Sequence, residues 1–237
     1  MKKIVIYGDI HGCFEEFLEL RKLIGINKND IEIVTGDFIN KGPFSLKTLR
    51  YIKQNNILSV IGNNESKMIM IYEQYKKDGE KFLDTIKAHE KETFLSLHDS
   101  DIKYLKSLPY FLKSNDLTVV HGGLFNHIKL DKPLSKEDKK YIMHLRFLDK
   151  DYNFLPFNDF ENRYIFWSEI YDNHEGFIVY GHHPFKEPKI DRYSIGIDTG
   201  CVYGGKLSAV TFPIKNDKAI LDQYKIFSVD AKKAYWQ

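Results

Sequence analysis

The N-terminal third of the chain alternates short apolar runs with amphipathic stretches. Lys3 to Tyr7, Ile31 to Thr35 and Ile57 to Ile61 read as strands, and Phe14 to Ile24, Phe44 to Gln54 and Glu65 to Tyr75 read as helices. Strand, helix, strand in that order requires parallel strands joined by right-handed crossovers, so the fold class is α/β. Each apolar run ends in a glycine and a polar residue: Gly8-Asp9, Gly36-Asp37 and Gly62-Asn63. Ligands of open α/β sheets bind beyond the carboxyl ends of the strands. Three polar side chains delivered there form a constellation rather than three separate turns.

The chain reads as one domain over 1–237, with 43% hydrophobic residues to build its core. The stretch 78–108 has helical period and reads as an insertion, with Phe82, Leu83, Ile86, Phe94, Leu95, Leu97, Ile102 and Leu105 as its apolar face. A hairpin follows around Ser114-Asn115-Asp116. The connection 126–175 shows no clear period and is longer than packing alone requires. Gly176 to Tyr180, Tyr193 to Ile197, Lys206 to Phe212 and Ala219 to Val229 read as further strands.

Charge excludes some partners. Lys+Arg 35 against Asp+Glu 33 gives a net charge of +2, and no basic block offers a track for a nucleic-acid duplex. The apolar start is broken by Gly8, Asp9 and His11 too early for a signal peptide, and no later stretch would span a membrane. Two cysteines make neither a disulfide framework nor a zinc pattern, so a reducing cytoplasm is the expected compartment and Cys13 is expected to be a packed thiol.

Gly8-Asp9-Ile10-His11-Gly12 places a carboxylate and an imidazole two positions apart just past a strand, where both can face one ion. Asp37, Asn63, His121 in Val120-His121-Gly122-Gly123, and His182 in Gly181-His182-His183-Pro184 extend a mixed nitrogen and oxygen donor set. Any one of these would ordinarily be a turn former or a packed histidine. Their shared position after apolar runs argues for a common purpose.

With GDIHG at 8–12, GDFINKG at 36–42, GNNE at 62–65, VHGG at 120–123 and GHHP at 181–184, the sequence resembles the calcineurin-like metallophosphoesterases. The resemblance runs from about Ile4 to Val210. Gly42-Pro43-Phe44-Ser45-Leu46 and Ile197 to Leu207 look more narrowly like bacterial serine/threonine-type phosphatases and symmetrical dinucleoside tetraphosphatases. It implies a four-layer sandwich of two mixed sheets flanked by helices. It further implies a first metal on Asp9 and His11, a bridging Asp37, and a second metal on Asn63, His121 and His182. The divalent pair is expected to be Mn²⁺, with Fe or Zn²⁺ as alternatives. The implied activity is serine/threonine phosphatase-like hydrolysis of phosphate monoesters by in-line attack of a metal-bridging hydroxide, with a phosphoprotein, small phosphomonoester or nucleotide as the expected substrate. A dinucleoside tetraphosphate hydrolase is the alternative, and a metal-binding interaction module the second.

The resemblance fails on the substrate side. Asn40, Lys41 and Asn64 stand where the family pattern has Asp, Arg and His. An asparagine cannot protonate a leaving oxygen, and positioned general acids contribute about 10²- to 10⁴-fold. His144 and His183 are the candidate replacements. Lys41 lacks the planar fork of arginine, and Arg146 is the candidate second phosphate ligand. Asp198 and Thr199 read as turn formers or supports. Phe147, Phe154, Phe157, Phe160, Tyr164, Phe166 and Trp167 read mostly as core of the long connection, with stacking on a nucleobase as the alternative.

Overall fold

The computed structural model describes residues 2–236. In chain order, β1 (Lys3–Tyr7), α1 (Phe14–Ile24), β2 (Ile31–Val34), α2 (Ser45–Gln54), β3 (Leu58–Ser59) and α3 (Asn63–Asp78) make two crossovers. A short 3-10 turn at Glu80–Asp84, then α4 (Ala88–Ser96) and α5 (Asp99–Ser107), precede the hairpin of β4 (Phe111–Ser114) and β5 (Leu117–Val120). Next come α6 (Lys136–His144), the small hairpin β6 (Phe147–Leu148) and β7 (Ile165–Phe166), and β8 (Phe177–Tyr180). The chain ends with β9 (Lys189–Asp191), β10 (Ser194–Gly196), β11 (Asp198–Thr199), β12 (Lys206–Lys215), β13 (Lys218–Ala219) and β14 (Lys225–Asp230).

One sheet runs β11-β12-β1-β2-β3, with β13 and β14 also pairing with β12, and the other runs β4-β5-β8-β10-β9. The strands β1, β2 and β3 are parallel, as are β5, β8 and β10, while β12, β4 and β9 pair antiparallel with their neighbours. Both sheets are therefore mixed.

Side-chain alternation along each strand builds the layers. Ile4 and Ile6 of β1 join Leu117 and Val119 of β5, Val179 of β8 and Phe212 of β12 in the core between the sheets. Val5 and Tyr7 point the other way, against Phe14, Phe17 and Leu20 of α1. On the outer face of the second sheet, Val120, Ile178 and Tyr180 pack under Ile142 of α6 and the buried Phe166 and Trp167. Two mixed sheets flanked by helices result, as the sequence resemblance implies. The helix α1 stops at Gly25, whose φ of 66° lets its N–H reach back to the Arg21 and Lys22 carbonyls.

Several boundaries differ from the sequence reading. The third strand is only Leu58–Ser59, and α3 begins at Asn63, so that amide lies on the first helical turn. Within 126–175 the helix α6 was not legible because its apolar stripe is reduced to the buried Ile142 and Met143. Its available signal was the capping pair: Ser135 Oγ accepts from Asp138 N at 3.0 Å, and Asp138 accepts from Ser135 N at 2.9 Å. The run 219–229 is broken by a 3-10 turn at Leu221–Gln223. In the helical segment, Leu95 is 61% exposed and not part of the core. Among the described residues, no helix is long and apolar enough to cross a membrane.

Candidate metal centre

Loops after β1, β2, β5 and β8, with the start of α3, meet at one edge of the sandwich. Backbone bonds stitch them together: His11 N donates to the Asp37 carbonyl (2.8 Å), Gly12 N to Phe38 (2.9 Å) and Gly181 N to His121 (2.8 Å). Glu65 is fully buried and gathers four N–H donors. Its carboxylate accepts from Asp37 N (2.7 Å), Gly62 N (2.9 Å), Phe38 N (3.1 Å) and Ile39 N (3.3 Å). These bonds hold unfavourable backbone. His11, Asp37, Asn40, Lys41 and His182 all have φ between 46° and 74°. The left-handed region costs a non-glycine residue roughly 1 to 2 kcal/mol, and such strain persists only where the surroundings over-determine it.

Two groups of donors result. Atoms of Asp9, His11 and Asp37 lie within 4.8 Å of one another, as do atoms of Asp37, His121 and His182, so Asp37 is common to both. His121 Nδ1 sits 2.7 Å from the Thr35 carbonyl, a contact only an N–H can make, which leaves the Nε2 lone pair facing Asp37 Oδ1 at 3.5 Å. His11 Nδ1 likewise meets the Ile39 carbonyl (3.3 Å), and its Nε2 faces Asp37 Oδ2 (3.6 Å) and Asp9 Oδ2 (4.0 Å). Both Asp9 oxygens accept from His182 N at 3.1 Å, and Oδ1 also accepts from Thr35 Oγ1 at 3.2 Å.

The donor set fits a cation. The Asn63 side-chain amide lies 2.8 Å from His182 Nδ1, 3.1 Å from His121 Nε2 and 3.3 Å from Asp37 Oδ2, so its oxygen can join theirs around one cation. Without a cation, the amide would turn over and donate its NH₂ to the same atoms. His182 Nε2 is buried and has no hydrogen-bond partner among the described residues. The space is also reserved: a Cβ on Gly181 would lie 2.0 Å from Asp9 Oδ1, and one on Gly62 would lie 2.3 Å from Asp37 Oδ1.

Charge points the same way. Burial pushes Asp9 well above the usual carboxylate range, and the neighbouring Asp198 and Asp37 push it further. Asp198 rises to about 6, chiefly by burial. Burial would raise Asp37 too, but His121, His11 and Lys41 outweigh it and hold it low. Burial lowers all three imidazoles, His11 to about 3, so their ring nitrogens are available as neutral ligands.

The residues expected on the substrate side are different in kind. Asn64 Nδ2 donates to Asp37 Oδ2 (2.5 Å) and its Oδ1 accepts from Asn40 Nδ2 (2.8 Å). Asn40 Oδ1 in turn accepts from Thr93 Oγ1 of α4 (3.3 Å). Lys41 Nζ reaches His11 Nε2 (3.3 Å) and donates to the Tyr203 hydroxyl (2.8 Å). Arg146 Nη2 donates to the His182 carbonyl (3.1 Å), and its charge faces Asp198, Asp37 and Asp9. The His144 ring centroid is 5.8 Å from that of His182, and burial lowers His144 to about 4. His183 is packed among Phe147, Phe166 and Phe185 with centroids 4.8 to 5.5 Å away.

A family model for calcineurin-like phosphoesterases matches residues 2–221. The chain belongs to that family. It is therefore a hydrolase of a family that works with two metal ions. Among curated relatives, the asymmetrical bis(5'-nucleosyl)-tetraphosphatase PrpE of Oceanobacillus iheyensis is 30% identical, covering 90% of each chain. The symmetrical bis(5'-nucleosyl)-tetraphosphatase of Wigglesworthia glossinidia brevipalpis is 29% identical over 89% of this chain and 96% of its own. A crystal structure assigned as a diadenosine tetraphosphatase superposes with a TM-score of 0.77 at 24% identity, covering 97% of this chain and 93% of the other. A serine/threonine phosphatase from Saccharomyces cerevisiae gives 0.61 at 18%, covering 98% and 80%. The two superpositions speak for the phosphoesterase fold alone.

Within this phosphoesterase frame, the sequence reading undervalued Glu65 and Asp198. Glu65 carried a signal, an acid three residues past the glycine that precedes a helix. Asp198 had none beyond its run, because it comes near Asp9 only through strand pairing distant in sequence, with β11 and β1 both paired to β12. Nor did the aromatics behave as one group: Phe166 and Trp167 are buried, whereas Phe157, Phe160 and Tyr164 are at least 60% exposed.

Proposed function

We propose that the protein hydrolyses the phosphoanhydride of a dinucleoside tetraphosphate. One divalent ion would sit on Asp9, His11 and Asp37, and a second on Asp37, Asn63, His121 and His182. Such ions, with Mn²⁺ suited to this donor mixture, acidify water and draw charge from phosphoryl oxygens. The chain's own residues do the rest. Arg146 binds a phosphoryl oxygen with its planar fork, and Lys41 swings its ammonium from His11 toward the phosphate chain. Asn64 can hydrogen-bond the departing oxygen but has no proton to release.

The observation that carries this reading is the amide pair. Asn64 is fixed at both ends, by Asp37 and by Asn40, in the position where an alkyl leaving group needs an acid. A nucleotide leaving through its phosphate, with a pKa near about 6, needs little protonation, whereas a serine alkoxide needs it badly. The serine/threonine phosphatase-like expectation loses ground at this atom, and the tetraphosphatase relatives support the alternative. A metal-binding module without catalysis is disfavoured by the complete donor set.

The test is a Mn²⁺ assay with diadenosine tetraphosphate, p-nitrophenyl phosphate and a phosphoserine peptide. The anhydride is expected to exceed the phosphoserine peptide in kcat/KM by about 10²-fold or more. Equal rates on the two would refute the reading. Two ADP, or ATP with AMP, identifies symmetrical or asymmetrical cleavage.

A further inference from the structure

A cavity of about 720 Å³ opens beside the amide pair, between α2 and α4, and no residue of the metal cradle lines it. It meets the leaving-group side twice. Lys41, which reaches His11, forms part of its wall, and so does Thr93, which donates to Asn40. Through Lys41 and Thr93 the cavity adjoins the leaving-group side.

The lining suits a nucleotide. Lys41, Lys47 and Arg50 supply positive charge against the single acid Glu92. Lys47 Nζ stands 4.5 Å above the Phe14 ring and 5.5 Å from that of Phe44, and Phe44 is 37% exposed. A cation next to an accessible aromatic face is the pairing that takes a phosphate and a stacked base together. The volume lies within the range of about 300 to 1,000 Å³ usual for small-molecule sites.

We propose that this cavity is the subsite for the departing nucleotide, with its base on Phe44 and its phosphates running from Lys47 back to Lys41. The inference rests on the dinucleoside tetraphosphate reading above and adds where the second half of that substrate lies.

Two variants test it without touching the metal cradle. Ser96→Trp fills the cavity from α4, and it is expected to raise KM for diadenosine tetraphosphate at least tenfold while p-nitrophenyl phosphate, too small to reach the cavity, keeps its kcat/KM within twofold. Glu92→Lys removes the opposing charge and is expected to lower KM for the tetraphosphate severalfold, a gain that misfolding cannot imitate. If wild-type protein cleaves the tetraphosphate and neither variant moves its KM, the subsite is overturned and the functional reading stands. If both variants alter the two substrates equally, the subsite is also overturned. If wild-type protein cleaves p-nitrophenyl phosphate but not the tetraphosphate, the functional reading fails and the subsite fails with it.

Discussion

The candidate metal cradle and the proposed leaving-group side share Asp37 and little else. The cradle is built from charged and imidazole donors on strained backbone, stitched by bonds from several loops and by the four N–H donors gathered on Glu65. The leaving-group side is a neutral relay of amides, Thr93 to Asn40 to Asn64, ending on Asp37. Like charges packed together are tolerable only if something neutralises them, so the cradle's geometry states its ligand class. Amides satisfied by one another state mainly what they lack, which is a proton to give.

The comparison can be broken at several points. Asp37→Asn removes the donor common to both groups, and metal-dependent hydrolysis of p-nitrophenyl phosphate is expected to fall by about 10³-fold, corresponding to about 4 kcal/mol of lost transition-state stabilisation. Retained turnover would mean that Asp37 is not central. Glu65→Ala leaves four N–H groups without their acceptor and is expected to lower unfolding free energy by about 3 kcal/mol in urea titration. An unchanged midpoint would show that the loops hold themselves. Asn64→His restores an acid, so kcat on an alkyl phosphate should rise by about 10²-fold while the anhydride changes little. Equal gains on both would undo the leaving-group argument. The smallest effect is expected for Lys41→Arg, where a planar fork replaces a point charge and KM for the anhydride should fall by about two- to threefold. A rise in KM would mean that the bond to Tyr203 matters more than phosphate grip.

Much of this was legible without coordinates. The amphipathic stretch Phe14 to Ile24 announced α1 with its observed bounds. The glycine and polar pairs after β1 and β2 announced where donors would emerge. What misled was weak periodicity: α6 buries too little apolar surface to show a stripe, and β3 is too short to show alternation. The sequence put His182 in the donor set, but not its backbone N–H on both oxygens of Asp9, nor the packing of His183, one position later, against Phe185.

The sequence by itself determined the donor types and the α/β order, because both depend on local spacing: strand ends deliver side chains, and amphipathic stretches must cover a sheet. Only the tertiary structure decided which carboxylates crowd together, which imidazole nitrogen keeps its lone pair, and that α4 comes close enough for Thr93 to fix Asn40. Those outcomes arise where two sheets and an inserted helix converge, and no spacing along the chain encodes a distance across that gap.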